Sequence, residues 1–82
     1  MRVVVEYEMS QRRGGLQATS QQLRLTGHGT GEEEALANLR RAAAAWVLGL
    51  TLANRLDDAL RRHGIRCDEH EMAGLVIDLR GT

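Results

Sequence analysis

The first third of the chain alternates between apolar and polar positions in the way that β-strands do. Residues 2–8, RVVVEYE, place Val3, Val5 and Tyr7 on one face and Val4, Glu6 and Glu8 on the other. Because β-branched residues with a period of two favour a half-buried strand, we predict a strand here. After the polar turn SQRRGG, the segment LQATSQQLRLTG changes the phase of its apolar positions around SQQ. This change indicates either a β-bulge or a break into two strands.

From residue 31 the apolar positions are spaced by three and four residues, which is the period of an amphipathic helix. The positions that keep this spacing are Leu36, Leu39, Ala43, Trp46, Val47 and Leu50, and Leu52, Leu56 and Leu60 continue it. Cations followed by Gly64 indicate the end of the helix. Gly49 and Thr51 interrupt the run, so the pattern fits one long helix with a weak point or two helices with a short joint.

A last alternating segment, LVIDLR at residues 75–80, predicts a closing strand after a loop over residues 65–74. The predicted order is β-β-β-α-(α)-β. This order indicates an α+β fold in which a three-stranded antiparallel meander and the closing strand carry the long or broken helix on one face. The 82 residues are enough for one domain, so we predict a single domain from residue 1 to residue 82.

Composition narrows the possible partners and the location of the chain. The 11 basic residues are all arginines and balance 11 acids. Six of them form the pairs Arg12–Arg13, Arg40–Arg41 and Arg61–Arg62, which are scattered among acids rather than along one stripe. Nucleic-acid binders usually have a basic excess or aromatic stacking platforms, and the chain has one Trp and one Tyr, so RNA binding is not favoured. The mostly apolar residues 42–53 are too few to cross a bilayer, and the first residues do not resemble a secretory signal. We therefore expect a cytoplasmic protein that does not bind membranes.

The segment GHGTGEEEALANL, residues 27–39, combines a glycine-rich turn with the start of the predicted helix. A Walker phosphate loop requires a lysine, which the chain lacks, and three leading glutamates would repel a pyrophosphate from the helix N-terminus. We instead predict that Thr30 caps the helix in a capping box with Glu33, and that the glycines supply positive φ angles. Glu32, Glu33 and Glu34 then lie at the positive end of the helix dipole.

The remaining reactive side chains do not form a recognisable catalytic or metal-binding pattern. His63, Cys67 and His70 are spaced by four and three residues, which is not a common zinc-ligand spacing, so we expect polar residues at a helix end and no metal. Acids next to Cys67 raise its expected thiol pKa, which argues against a reactive cysteine. Serine occurs only at positions 10 and 20, and no Ser/His/Asp set stands out. We expect neither enzymatic activity nor a bound cofactor.

The segment GHGTGEEEALANLRRAAAAW resembles the HicB-like antitoxin family, whose pattern includes G-x-[ST]-x-E-E-A-L-x-N followed by an amphipathic helix. The matching residues are Gly29, Glu33, Glu34, Ala35, Leu36, Asn38 and Ala42. The segments GGLQATS and LVIDL resemble strands of the family's partial RNase-H-like domain. Many members add a C-terminal DNA-binding domain, whereas this sequence stops at Thr82, just past the last predicted strand. We therefore do not expect direct DNA binding.

The resemblance implies a non-catalytic, protein-binding antitoxin that masks a small RNA-cleaving toxin. Such toxins are basic, so an acidic surface on this chain would attract one. The residues expected to supply that surface are Glu6, Glu8, Glu32, Glu33 and Glu34. The alternative is a self-associating structural module with no toxin partner. In either case a domain this small is marginally stable alone, and an exposed face of Leu52, Leu56 and Leu60 would pair helices in a homodimer or higher homo-oligomer.

Overall fold

In the computed structural model, a layer of two helices packs on a five-stranded sheet, and residues 1–68 and 74–81 are described. The elements in chain order are β1 (Arg2–Arg12), β2 (Gly15–Ser20), β3 (Leu25–Gly29), α1 (Glu32–Leu52), α2 (Leu56–Arg62), β4 (Arg66–Asp68) and β5 (Val76–Gly81). The predicted α+β fold is confirmed, and β4 is a short additional strand inside the segment that we predicted as a loop. No described helix is long and apolar enough to cross a membrane.

The strand β1 is the centre of the sheet because it pairs with three other strands. Its C-terminal half is antiparallel to β2, from Glu8 opposite Thr19 to Arg12 opposite Gly15. Its N-terminal half lies between β4, which is antiparallel to it, and β5, which is parallel to it. The strand β3 pairs with β2, so β1, β2 and β3 form the predicted antiparallel meander and the closing strand adds a parallel pair.

The change of hydrophobic phase around SQQ corresponds to a break between two strands rather than to a bulge. Strand β2 ends at Ser20 and β3 begins at Leu25, and a four-residue turn joins them. Arg24 adopts a φ of 57° at the end of that turn. Ser20 is fully buried, and its hydroxyl oxygen accepts a hydrogen bond from the Leu23 backbone N–H. The side chain therefore stabilises the turn from inside.

The helical segment is broken, but the break lies after both residues that suggested one. Gly49 and Thr51 are inside α1, where the Thr51 hydroxyl donates to the Val47 carbonyl at 2.8 Å. The chain leaves the helix at Ala53, and Asn54 takes a left-handed φ of 57°. Asparagine tolerates this conformation better than most residues, so the joint between α1 and α2 forms there.

The core lies between the helices and one face of the sheet. Its main cluster joins both helices to β1 and β5 and consists of Val3, Val5, Leu23, Ala43, Val47, Leu56, Leu60, Ile65 and Ile77. A smaller cluster of Ala18, Ala35 and Leu39 lies where α1 crosses β2 and β3. Since Val3 and Val5 face this core, the even-numbered side chains of β1 project from the opposite, outer face of the sheet.

Candidate functional site

The glycines of the turn before α1 allow the helix to approach β3 closely. A Cβ atom at Gly27 would overlap the Leu39 nitrogen and the Ala35 carbonyl oxygen and would lie 2.8 Å from Leu39 Cα. A Cβ at Gly29 would overlap the Ala35 nitrogen and lie 2.7 Å from Glu34 Cβ. The described glycines with positive φ are elsewhere in the chain, so our explanation of these glycines by left-handed conformations was wrong. They are required because the helix backbone lies directly on the strand.

The helix start also differs in detail from the predicted capping box. Gly31 occupies the N-cap position and makes no side-chain cap bond, so Thr30 is not the cap. The carboxylate that reaches back belongs to Glu34, whose Oε1 accepts a hydrogen bond from the Thr30 backbone N–H at 3.0 Å. All three glutamates lie in the first helical turn, as the sequence predicts. At this position the three carboxylates interact favourably with the positive end of the helix dipole.

Asn38, the last residue of the family-like motif, fastens the helix to the edge of the sheet. Its side-chain amide Nδ2 donates to the His28 carbonyl oxygen at 2.6 Å. His28 is in β3, which pairs with β2 on one edge only among the described strands. In an antiparallel pair, every second residue directs its backbone N–H and C=O groups away from the partner strand. The His28 carbonyl is one that points away from β2. The amide therefore occupies an acceptor that would otherwise face the outside of the sheet.

Glu6 and Glu8 are exposed on the outer face of the sheet, next to a gap between β2 and β4. The pairing of β1 with β4 ends at Val4 and its pairing with β2 begins at Glu8, so Glu6 lies between the two paired segments. The Glu6 backbone N–H instead donates to the side-chain oxygen of Gln22 at 3.1 Å. An open cleft of about 150 Å³ lies here and is lined by Glu6, Tyr7, Glu8, Thr19, Gln21 and Gln22. The two carboxylates thus project beside a cleft lined by amides and hydroxyl groups.

The five glutamates that we predicted as a partner-binding surface do not form one patch. Glu6 and Glu8 project from the outer face of the sheet, whereas Glu32, Glu33 and Glu34 begin the helix that packs on the inner face. A separate surface hollow lies at the helix start and includes Glu33 and Glu34. A partner bound flat on one of these surfaces would therefore contact either two or three of the five carboxylates.

A charged cluster that we did not predict from the sequence lies on the same outer face, around Asp78. Arg80 donates from Nε to Asp78 Oδ1 at 3.1 Å and from Nη2 to Oδ2 at 2.9 Å, and Arg2 approaches Oδ2 at 4.0 Å. The hydrogen bonds from Arg80, reinforced by the charges of the arginines, hold the pKa of Asp78 below its ordinary value. The sequence pattern that could have predicted this cluster is the alternation of LVIDLR, which places Asp78 and Arg80 on one face of the strand.

The three leucines that we predicted as an oligomer face do not lie on one surface. Leu56 and Leu60 are buried in the main core, at 8% and 6% exposure, while Leu52 is 88% exposed. The i, i+4 spacing fails to align them because α1 ends before Ala53, Asn54 takes a left-handed φ, and a separate helix begins at Leu56. The large apolar side chains that α1 leaves exposed are Leu48 and Leu52.

The residues considered as metal ligands have structural surroundings where they are described. His63 ends α2, with its Nδ1 atom 2.8 Å from the Gln22 carbonyl oxygen and its ring edge-on to Trp46 at 5.6 Å. Cys67 is half-buried in β4, and His70 lies outside the described residues. Within residues 1–68 and 74–81, no three His, Cys, Asp or Glu side chains come close enough to share a metal ion.

Comparison with known proteins assigns the chain to no family. No family model matches it, and neither does any curated protein or solved structure. The likeness to HicB-like antitoxins therefore depends on the quoted residues alone and stays a prediction.

Proposed function

We propose that this chain is a non-catalytic, antitoxin-like module that binds and masks a small, basic, RNA-cleaving protein. The observation that supports this proposal most directly is the position of Glu6 and Glu8, which are both exposed on the outer face of the sheet beside a polar cleft. Carboxylates in this position attract a basic partner over a long range and increase the rate of association. The amide and hydroxyl groups of the cleft offer further hydrogen bonds to that partner.

The outer sheet surface is a better candidate for the contact than the start of α1. The carboxylates of Glu32, Glu33 and Glu34 already interact with the helix dipole, and Glu34 also accepts a backbone hydrogen bond. Their effect on binding would be mixed with their effect on helix stability. Glu6 and Glu8 have no such role in a helix start, so neutralising them tests binding more cleanly.

The first experiment is a search for the partner in the native cell. The tagged full chain should co-purify with a small basic protein, and a gene for that protein should lie next to the gene for this chain. The purified partner should cleave RNA, and addition of this chain should stop the cleavage. Capture of no basic protein, together with the absence of such a neighbouring gene, would contradict the antitoxin proposal.

The second experiment locates the contact on the purified pair. The double variant Glu6→Gln/Glu8→Gln should weaken binding by roughly tenfold or more, and the loss should shrink at high salt because the attraction is electrostatic. The matched control is Asp57→Asn/Asp58→Asn, which removes two exposed carboxylates from α2. Because these acids lie in the first turn of α2, circular dichroism must first show that the control variant is folded. Equal effects of the two double variants would show that net charge, and not this surface, determines the affinity.

A self-associating structural module is the second candidate function, and the exposed end of α1 favours it. Leu48 and Leu52 are 57% and 88% exposed and lie one helical turn apart. Covering them with a second copy would remove apolar surface from water. The variant Leu52→Asp tests this candidate, because Leu56→Asp would place a charge in the core and unfold the chain. A wild-type chain that sediments as a monomer would contradict it.

A further inference from the structure

The strand β5 leaves one edge of the sheet without a described partner. It pairs with β1 on its other edge, and the Val76 N–H donates to the Met1 carbonyl at 2.9 Å. Because successive residues of a strand direct their backbone groups to opposite edges, Val76, Asp78 and Arg80 direct theirs toward β1. Ile77, Leu79 and Gly81 therefore direct their N–H and C=O groups outward, along the edge of the sheet.

The two longer edge strands of the sheet, β3 and β5, differ in how they are protected. At β3 the side chain of Asn38 occupies the outward carbonyl of His28, and α1 packs directly on the strand. At β5 no comparable side-chain bond to the backbone is present among the described residues. An exposed edge with regular backbone groups is a template for another strand unless something blocks it. Of these two edge strands, β5 is therefore the one whose backbone groups are open to pairing with another strand.

The side chains on the outer face of β5 are complementary to themselves. Asp78 and Arg80 lie two residues apart and carry opposite charges, so a strand that runs the other way presents the same pair in reverse order. An edge with charges of one sign would repel a second copy, whereas this one matches it. We propose that β5 pairs antiparallel with β5 of a second copy of this chain, which joins the two sheets into one.

The charges also select the register of this pairing. In an antiparallel pair, residues whose backbone groups point toward the partner strand lie opposite one another. A two-fold axis at Leu79 therefore sets Leu79 opposite Leu79 of the second copy and Ile77 opposite Gly81. In that register Asp78 lies opposite Arg80 of the second copy, twice by symmetry. A shift in one direction sets Asp78 opposite Asp78, and a shift in the other sets Arg80 opposite Arg80. Like charges directly opposite are unfavourable, so the register centred on Leu79 is the stable one.

The experiment is a charge exchange followed by sedimentation of the full chain. The wild type should sediment as a dimer at about 100 µM, and Arg80→Asp should weaken the dimer by roughly tenfold or more, because it sets two acids opposite two acids. The exchange Asp78→Arg/Arg80→Asp restores complementary pairs and should return the dimer to within a few-fold of the wild type. Arg40→Asp, the same reversal on the exposed surface of α1, should leave the dimer unchanged.

Amide hydrogen exchange identifies the strand without any substitution. The outward amides of Ile77, Leu79 and Gly81 should exchange slowly at dimer concentrations and quickly on dilution, whereas those of Asp78 and Arg80 stay protected by β1. This measurement decides the question even if a charge variant fails to fold.

Several results would overturn the proposal. They are a wild type that is monomeric at about 100 µM, outward amides that exchange quickly at every concentration, a dimer that Arg80→Asp does not weaken, and a folded exchange variant that stays monomeric. Dissociation by Leu52→Asp would place the contact at the end of α1 instead. The proposal does not depend on a toxin partner, so failure of either proposal leaves the other unaffected.

Discussion

Replacement of Gly27 by alanine should destabilise the fold more than any other glycine-to-alanine change in the turn-helix segment of residues 27–49. The added Cβ would overlap two backbone atoms of α1 and lie 2.8 Å from a third, Leu39 Cα. Ordinary contacts between carbon atoms are about 3.5–4.0 Å, so the helix would have to move by about 1 Å away from β3. Overpacking that forces backbone shifts costs about 1–3 kcal/mol, and we expect the upper end, about 3 kcal/mol, because no rotatable side chain can yield.

Urea unfolding followed by the far-ultraviolet circular dichroism of the helices measures this loss. A domain of this size has a total stability of about 4–12 kcal/mol, so a loss of about 3 kcal/mol is a large fraction of it. Gly49→Ala is the matched control, because a Cβ there meets no atom within 4 Å and the position is inside α1. It should stabilise the chain by about 0.5–1 kcal/mol. A Gly27→Ala variant within about 1 kcal/mol of the wild type would refute the close-approach argument.

Three further changes test other parts of the structure. Asn38→Ala removes the amide that bonds the outward carbonyl of β3 and should lower the free energy of unfolding by about 1 kcal/mol, measured in urea. Leu56→Ala should cost about 2–4 kcal/mol because the side chain is in the core, whereas Leu52→Ala should cost less than about 0.5 kcal/mol in the monomer. Arg80→Gln should raise the depressed pKa of Asp78 toward its ordinary value, as carboxyl NMR titration would show. Since the folded pKa of Asp78 is the lower one, its stabilising contribution is present above the unfolded pKa and is lost as the pH falls through the folded pKa.

The elements of this fold were predictable where a period in the sequence reflects one buried face. The alternation in residues 2–8 and 75–80 identified β1 and β5, and the three-and-four spacing identified α1. The same patterns do not encode which strand pairs with which, so the parallel pairing of β5 with β1 was not predicted. The strand β4 has three residues, too few to show a period.

The candidate surfaces were less predictable, because their arrangement depends on tertiary contacts. The i, i+4 spacing continued across residues 53–55 and therefore predicted Leu52 and Leu56 on one helix face. The left-handed Asn54 interrupts the helix between them. The sequence shows the glycines before α1, but it does not show that they are required by the close approach of the helix. A glycine needed for a left-handed φ and a glycine needed for close packing look identical until the opposing backbone is known.

The two proposed surfaces share the outer face of the sheet, and their separation is itself testable. Glu6 lies opposite Arg80 in the register of β1 and β5, so a change at Glu6 also alters the charge next to the proposed dimer contact. Glu8 pairs with Thr19 of β2 and lies beyond the end of that register. Glu8 therefore reports on the partner surface alone.

The single variant Glu8→Gln should weaken binding of the basic partner severalfold and leave the self-association constant of the chain unchanged. Arg80→Asp should do the reverse, because it reverses the charge at the β5 edge and leaves the cleft beside Glu8 intact. Calorimetric titration of the partner and sedimentation of each variant alone give the two constants independently. If Glu8→Gln also dissociates the dimer, the outer sheet face acts as one interface, and binding of the partner must then compete with binding of the second copy.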